Sequence, residues 1–280
     1  MPERLVFWGL LAVGIDAGLW LGPHLPPVAR ADSLLFLLAS GISALATGAG
    51  LGGAVLMVPA LLLLRHLGVI DWPPTAISTV AALSAAVAAG NGARIQRSRG
   101  LVDTALAKKM GAIGAAAAIV TALWSARWTP PRLISADLAM ALLAVAFLWT
   151  SPRLRPAGNN LRPIPTRRIL AATAAVALSS GITGMPGSYL LIPLLLWISP
   201  LPYRNAAATT LQAIFVIAST TFLLKVHQGF FDLSNALPLL LGSIAGSILG
   251  AQWAKAASTK TLRLLATLTI ILGSATTLFF

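Results

Sequence analysis

The chain has 280 residues, of which 57% are apolar and only 10% charged, and its mean hydropathy is +0.85. That leaves too little polar surface to coat a water-soluble globule, so a lipid bilayer must supply much of the solvent. The net charge of +13 does not point to nucleic acid, because the basic residues sit in short loops between apolar spans with few aromatic residues beside them.

In chain order, the apolar stretches predict spans near residues 5–22, 33–48, 52–65, 75–91, 105–126, 132–150, 168–184, 186–199, 205–224, 233–254 and 261–279. Each is about the length that 30 Å of hydrocarbon demands, or somewhat shorter. The first is followed by Ala29-Arg30-Ala31, which resembles a signal-peptide cleavage site, but its length and the embedded Asp16 favour an uncleaved helix.

The second and third spans belong to one uncharged run from Ser33 to Leu64. As a single helix it would be about 48 Å long, well beyond the hydrocarbon core. Gly48, Gly50, Gly52 and Gly53 lie near its middle and accept positive φ, so the run reads as two short helices meeting at a turn. Non-helical backbone at membrane depth is tolerated only against protein or a watery cavity, which turns the break inward. Whether the broken pair crosses the bilayer or re-enters it stays open.

The same construction returns later. Ser180-Gly181-Ile182-Thr183-Gly184-Met185-Pro186-Gly187 breaks a run in which Pro193 parallels Pro59. Ser78-Thr79 matches Thr209-Thr210, Arg99-Gly-Leu-Val-Asp103 matches Gln228-Gly-Phe-Phe-Asp232, and Gly111 matches Gly242. These nearly constant offsets mark an internal repeat. Each half holds an odd number of crossings, so the halves must be inverted. The expected architecture is all-α and polytopic: an N-terminal helix and linker (1–32), repeat one (33–150), a basic linker (151–167) and repeat two (168–280). Inverted repeats with discontinuous helices point to a secondary transporter whose substrate sits at the repeat interface.

With the N-terminus in the cytoplasm, fifteen Lys and Arg fall inside and five outside, the bias expected of cytoplasmic loops. This orientation puts Phe280 on the external side, the periplasmic one for the expected location in a bacterial inner membrane. Arg99, Arg204 and Lys255 are among the fifteen inside and read as topology signals. Asp16 and Asp137, the carboxylates within spans, read as structural. The absence of Cys excludes disulfides and thiolate metal sites, and His24, His66 and His227 have no ligand spacing, so neither metal nor other cofactor is expected. Gly48-x-Gly50-x-x-Gly53 fits a dinucleotide fingerprint, but no strand precedes it and a full apolar span separates it from Asp71. No catalytic motif stands out, and the chain is not expected to be an enzyme.

The paired glycine breaks, each followed by an apolar run with a proline, together with the Arg99–Asp103 turn, resemble the TauE/SafE family of sulfite and organosulfonate exporters from Ser33 onward. The resemblance implies a transporter of a small sulfur-containing or other organic anion working by alternating access. A half-helix that begins at such a break exposes unpaired N–H groups and the positive end of its dipole, a suitable cradle for an oxyanion. The candidate substrate-binding residues are Thr47, Gly50, Gly52, Gly53, Ser78, Thr79, Thr183, Gly184, Gly187, Ser188, Thr209, Thr210 and Gln212. For each hydroxyl the competing reading is a bond to its own helix backbone or close helix packing. The expected partners are the anion and the lipid bilayer, and a homo-oligomer is compatible with this. Two other readings stand beside it: an inverted-repeat exporter of another metabolite or drug, and a membrane scaffold that transports nothing.

Overall fold

The computed structural model describes residues 27–124, 142–150, 165–183, 188–231 and 233–277. These residues form helices and the turns between them, with no strand among them. In order they are α1 (Pro27–Ala49), α2 (Ala54–His66), α3 (Pro74–Arg97), α4 (Thr104–Trp124), α5 (142–150), α6 (Thr166–Thr183), α7 (Ser188–Ile198), α8 (Tyr203–His227), α9 (Leu233–Ala256) and α10 (Thr259–Thr277). The expected N-terminal helix, Asp16, His24 and Asp137 fall outside the described residues.

Within α1, α3, α8 and α9, the segments Ala31–Ala49, Pro74–Arg97, Tyr203–His227 and Ala236–Ala256 are long and apolar enough to cross a membrane. α2 and α7, with 13 and 11 residues, are half-length, as expected of a broken run. The protein is an all-α polytopic membrane protein.

Local chemistry explains where the helices begin and end. α3 and α8 both start from a proline held extended: Pro73 at φ −63°, ψ 151°, and Pro202 at φ −60°, ψ 151°. Both end in the same double bond around a left-handed glycine. After α3, Gly100 N–H donates to Arg97 O at 3.0 Å and Leu101 N–H to Gln96 O at 3.2 Å. After α8, Gly229 N–H donates to Val226 O at 2.9 Å and Phe230 N–H to Lys225 O at 3.3 Å. The Arg99–Asp103 turn is thus a helix stop followed by a helix start, since Asp103 Oδ1 accepts the Leu106 N–H at 3.0 Å and caps α4.

α3 lies at the centre. Its buried stripe is nearly all alanine, from Ala81 to Ala93, which lets neighbouring backbones approach closely. It runs antiparallel to α8: Ser78 near the start of α3 meets Lys225 near the end of α8, whose Nζ donates to Ser78 Oγ at 2.5 Å. At the other end, the Asp103 N–H after α3 donates to Thr209 Oγ1 at 3.1 Å, near the start of α8. Around this pair, α9 packs on α1 and α3, and α4 on α6 and α8. Of the half-helices, α2 packs on α10 and α3, and α7 on α6 and α8.

The α1–α9 contact is the tightest. A Cβ added at Gly242, Gly246 or Gly250 would stand 2.3, 2.0 and 2.1 Å from the carbonyl oxygens of Phe36, Ser40 and Ala44. One glycine per turn of α9 therefore seats the helix directly on the α1 backbone. A related fit fastens α2. Pro59 has no N–H to give the Val55 carbonyl four residues earlier, and a Cβ at Gly273 of α10 would meet that same oxygen at 2.6 Å.

Candidate functional site

The break after α1 is built from consecutive backbone decisions. Gly50 N–H donates to Thr47 O at 3.1 Å and Leu51 N–H to Ala46 O at 2.7 Å, with Gly50 at φ 86°, so α1 closes with a glycine stop. Gly52 (φ 76°) and Gly53 (φ 90°) then turn the chain into α2. Positive φ in three of four residues costs any side chain about 1–2 kcal/mol each, which is why glycine occupies them.

The break is enclosed. A Cβ at Gly50 would stand 2.6 Å from Ala207 Cβ, and one at Gly52 2.9 Å from Ile214 Cγ2, both on α8. Gly53 faces α1 and α3, where a Cβ would lie 3.6 Å from Ala88 Cβ and 3.9 Å from Ser43 Oγ. No side-chain hydrogen bond caps α2 at Gly53. By helix geometry its first-turn amides are left without intrahelical partners, and they carry the positive end of the helix dipole. Ser43 Oγ, fully buried beside this end, has no hydrogen-bond partner among the described residues. Neither does Ser84 Oγ, one turn before Ala88 on the same face of α3. An unsatisfied buried hydroxyl costs about 1–3 kcal/mol, so the Ser43 hydroxyl beside this uncapped helix end calls for a partner of its own.

Below the break lies a cavity of about 50 Å³, lined by Thr47, Gly48 and Gly50 on one side and Gln96, Arg99, Tyr203, Arg204, Ala207, Leu211 and Lys255 on the others. Three basic residues are among those that line it, and no carboxylate is. Arg99 Nη1 donates to Ala251 O at 3.1 Å, and Arg204 Nη2 to Ala257 O at 2.7 Å, both at the carbonyl-rich C-terminal end of α9. Tyr203 is fully buried, and its hydroxyl donates to Ala49 O at 2.9 Å, tying α8 to the last residue of α1.

The residues singled out from sequence separate into groups. Gly50, Gly52 and Gly53 form the break, and Thr47 lies between break and cavity, its Oγ1 donating to Ala88 O at 3.4 Å. Thr209 sits at the same end, accepting the Asp103 N–H. Ser78 and Thr79 lie at the opposite end of the α3–α8 pair, because equivalent positions on antiparallel helices fall at opposite ends. Thr79 Oγ1 donates to Thr75 O at 2.7 Å, and Ser78 Oγ, which accepts from Lys225, donates to Thr75 O at 2.9 Å. Thr210 is buried with no partner among the described residues, and Gln212 is half-buried. Gly184, Gly187 and the side chains of Thr183 and Ser188 lie outside the described residues, although α6 does end at Thr183 and α7 begin at Ser188.

Residues 34–277 match the family model described as Sulfite exporter TauE/SafE. The chain belongs to this family. No curated protein and no solved structure matches it. Members of the TauE/SafE family are membrane transporters of sulfur-containing anions rather than enzymes, and at that level the chain is such a transporter. Ser43, Ser84 and Tyr203 were not singled out from sequence. A serine or tyrosine inside an apolar helix gives no sign of whether its hydroxyl finds a partner; the unpartnered state is shared with Ser40, Thr210 and Ser243, and Ser43 stands out by having it beside the break.

Proposed function

We propose that the protein carries a small anion, sulfite or a compact organosulfonate, across the bacterial inner membrane by alternating access, with the substrate at the uncapped start of α2. The observation that carries this reading is the coincidence, at one buried point, of three positive-φ glycines, a helix end without a cap and the unpartnered Ser43 hydroxyl. Amides and hydroxyl together replace the water an oxyanion loses, and the backbone supplies them without a counter-charge.

Alternating access needs two halves that exchange roles. The packing supports this: α1 on α9 has its counterpart in α6 on α4, α3 on α9 in α8 on α4, α2 on α3 in α7 on α8, and α1 on α2 in α6 on α7. The antiparallel run of α3 and α8 supports an inverted relation, since parallel repeats would set these two equivalents side by side in the same direction. On the cytoplasmic-N-terminus orientation the basic cavity opens inward and the Lys225–Ser78 contact lies towards the periplasm.

Reconstitution tests the reading. Proteoliposomes of the full chain should pass sulfite and exclude large anions, and Gly52→Val should stop the flux while leaving a folded, monodisperse protein. Equal flux in Gly52→Val and the parent would move the pathway away from the break. Reporter fusions at Gly158 and after Phe280 should lie on opposite membrane faces, and the same face for both would overturn the inverted arrangement.

A further inference from the structure

We infer that the basic cavity is itself a binding site, a loading station where Arg99, Arg204 and Lys255 hold a compact oxyanion before it reaches the break. The inference rests on the transport reading and deepens it by naming where the anion is first captured and what size of anion fits.

The three cations come from separate places: Arg99 from the turn after α3, Arg204 from the first turn of α8 and Lys255 from the last turn of α9. A charge bias between membrane faces accounts for cations at helix ends, as the exposed Arg94 and Arg97 show. It does not require three basic residues to line one cavity without a carboxylate. Like charges gathered in a partly dehydrated space repel one another, and an anion at their centre turns that repulsion into attraction.

Donor chemistry agrees. Arg99 and Arg204 are anchored through carbonyls, which are neutral acceptors that fix the guanidinium planes but leave their charge uncompensated. Each guanidinium has five N–H donors, so several stay free for an oxyanion. Lys255 is exposed, and its ammonium has no hydrogen bond or ion pair among the described residues. Thr47 and Gly50 line the same cavity, so an anion held there is already beside the break. A volume of about 50 Å³ has room for only a few water-sized groups, which suits sulfite or the head of a short sulfonate and leaves a long tail outside.

Lys255→Gln is the clean test, because this side chain anchors nothing. Equilibrium binding of sulfite to the detergent-purified full chain should weaken about tenfold in Lys255→Gln, be restored in Lys255→Arg, and weaken in the parent as sodium chloride is raised. Arg204→Gln should weaken it further, with thermal stability measured alongside because its carbonyl anchors are also lost. Gly52→Val should lose flux and the break's share of binding while retaining the Lys255-dependent share of sulfite binding. Parent-like binding in both Lys255→Gln and Arg204→Gln would overturn the station even if flux persists, and so would the absence of sulfite binding to the parent. Station binding without flux of any anion through the parent would instead overturn the transport reading alone.

Discussion

Two regions use glycine for unrelated reasons. At the break, Gly52 and Gly53 are required by backbone angle: both sit at positive φ, and a Cβ at Gly53 would meet only ordinary contacts. Along α9, Gly242, Gly246 and Gly250 are ordinary helical residues required by space, each pressed against a carbonyl of α1. The difference separates a conformational requirement, which affects what the site does, from a packing requirement, which affects whether the molecule assembles.

The largest effect should come from the packing glycines. Gly246→Val drives a branched side chain into the Ser40 carbonyl and must separate α1 from α9. Overpacking of this kind costs about 1–3 kcal/mol for added methylenes and more against backbone, so loss of monodisperse protein on size exclusion is expected. A well-behaved Gly246→Val would mean that α9 can slide on α1. Next comes Gly52→Ala, where strain of about 1–2 kcal/mol and a 2.9 Å approach to Ile214 Cγ2 displace the turn. The protein should fold with a lowered melting temperature and transport sulfite at a small fraction of the parent rate. If its flux falls only in proportion to folded protein, the break glycines differ from the packing glycines in degree alone.

Ser43→Ala sharpens the contrast, because stability and function should move apart. Removing an unpartnered buried hydroxyl leaves stability unchanged or slightly higher, whereas losing one hydrogen bond to the anion, about 0.5–1.5 kcal/mol, raises the half-saturating sulfite concentration roughly two- to tenfold. Unchanged half-saturation would detach Ser43 from the site. The smallest effect belongs to Gly41→Ala in α1, where nothing lies within 4 Å of the added methyl. A gain of about 0.5–1 kcal/mol in helix stability and unaltered flux are expected. Any loss would show that this face of α1 has a further neighbour in the membrane.

Much of the architecture was legible in the sequence. The break was forced by arithmetic, an uncharged run too long for the bilayer with four glycines at its centre, and α1 and α2 end and begin on either side of it. The matching landmarks around Pro59 and Pro193, or Gly100 and Gly229, survived because turns and caps depend on local chemistry. The site was legible only in part. Ser78 and Thr209 look equivalent along the chain, yet antiparallel packing sends them to opposite ends of the α3–α8 pair. The cavity escaped because Arg99, Arg204 and Lys255 are far apart in sequence and topology already explained each of them. Convergence of side chains is a property of packing, and no single segment encodes it.

Pro59 has a consequence for the timing of motion. α2 has 13 residues, and the open first turn together with the missing proline N–H leaves it about eight internal hydrogen bonds. α3 beside it has 24 residues and a buried stripe along most of its length. A short helix with an interrupted ladder opens locally at lower free energy than a long enclosed one. In heavy water the α2 amides should therefore exchange well before those of α3, and saturating sulfite should slow the first turn of α2 most. On the alternating access proposed above, the half-helix that begins at the break would then be the segment that yields first as the carrier changes face.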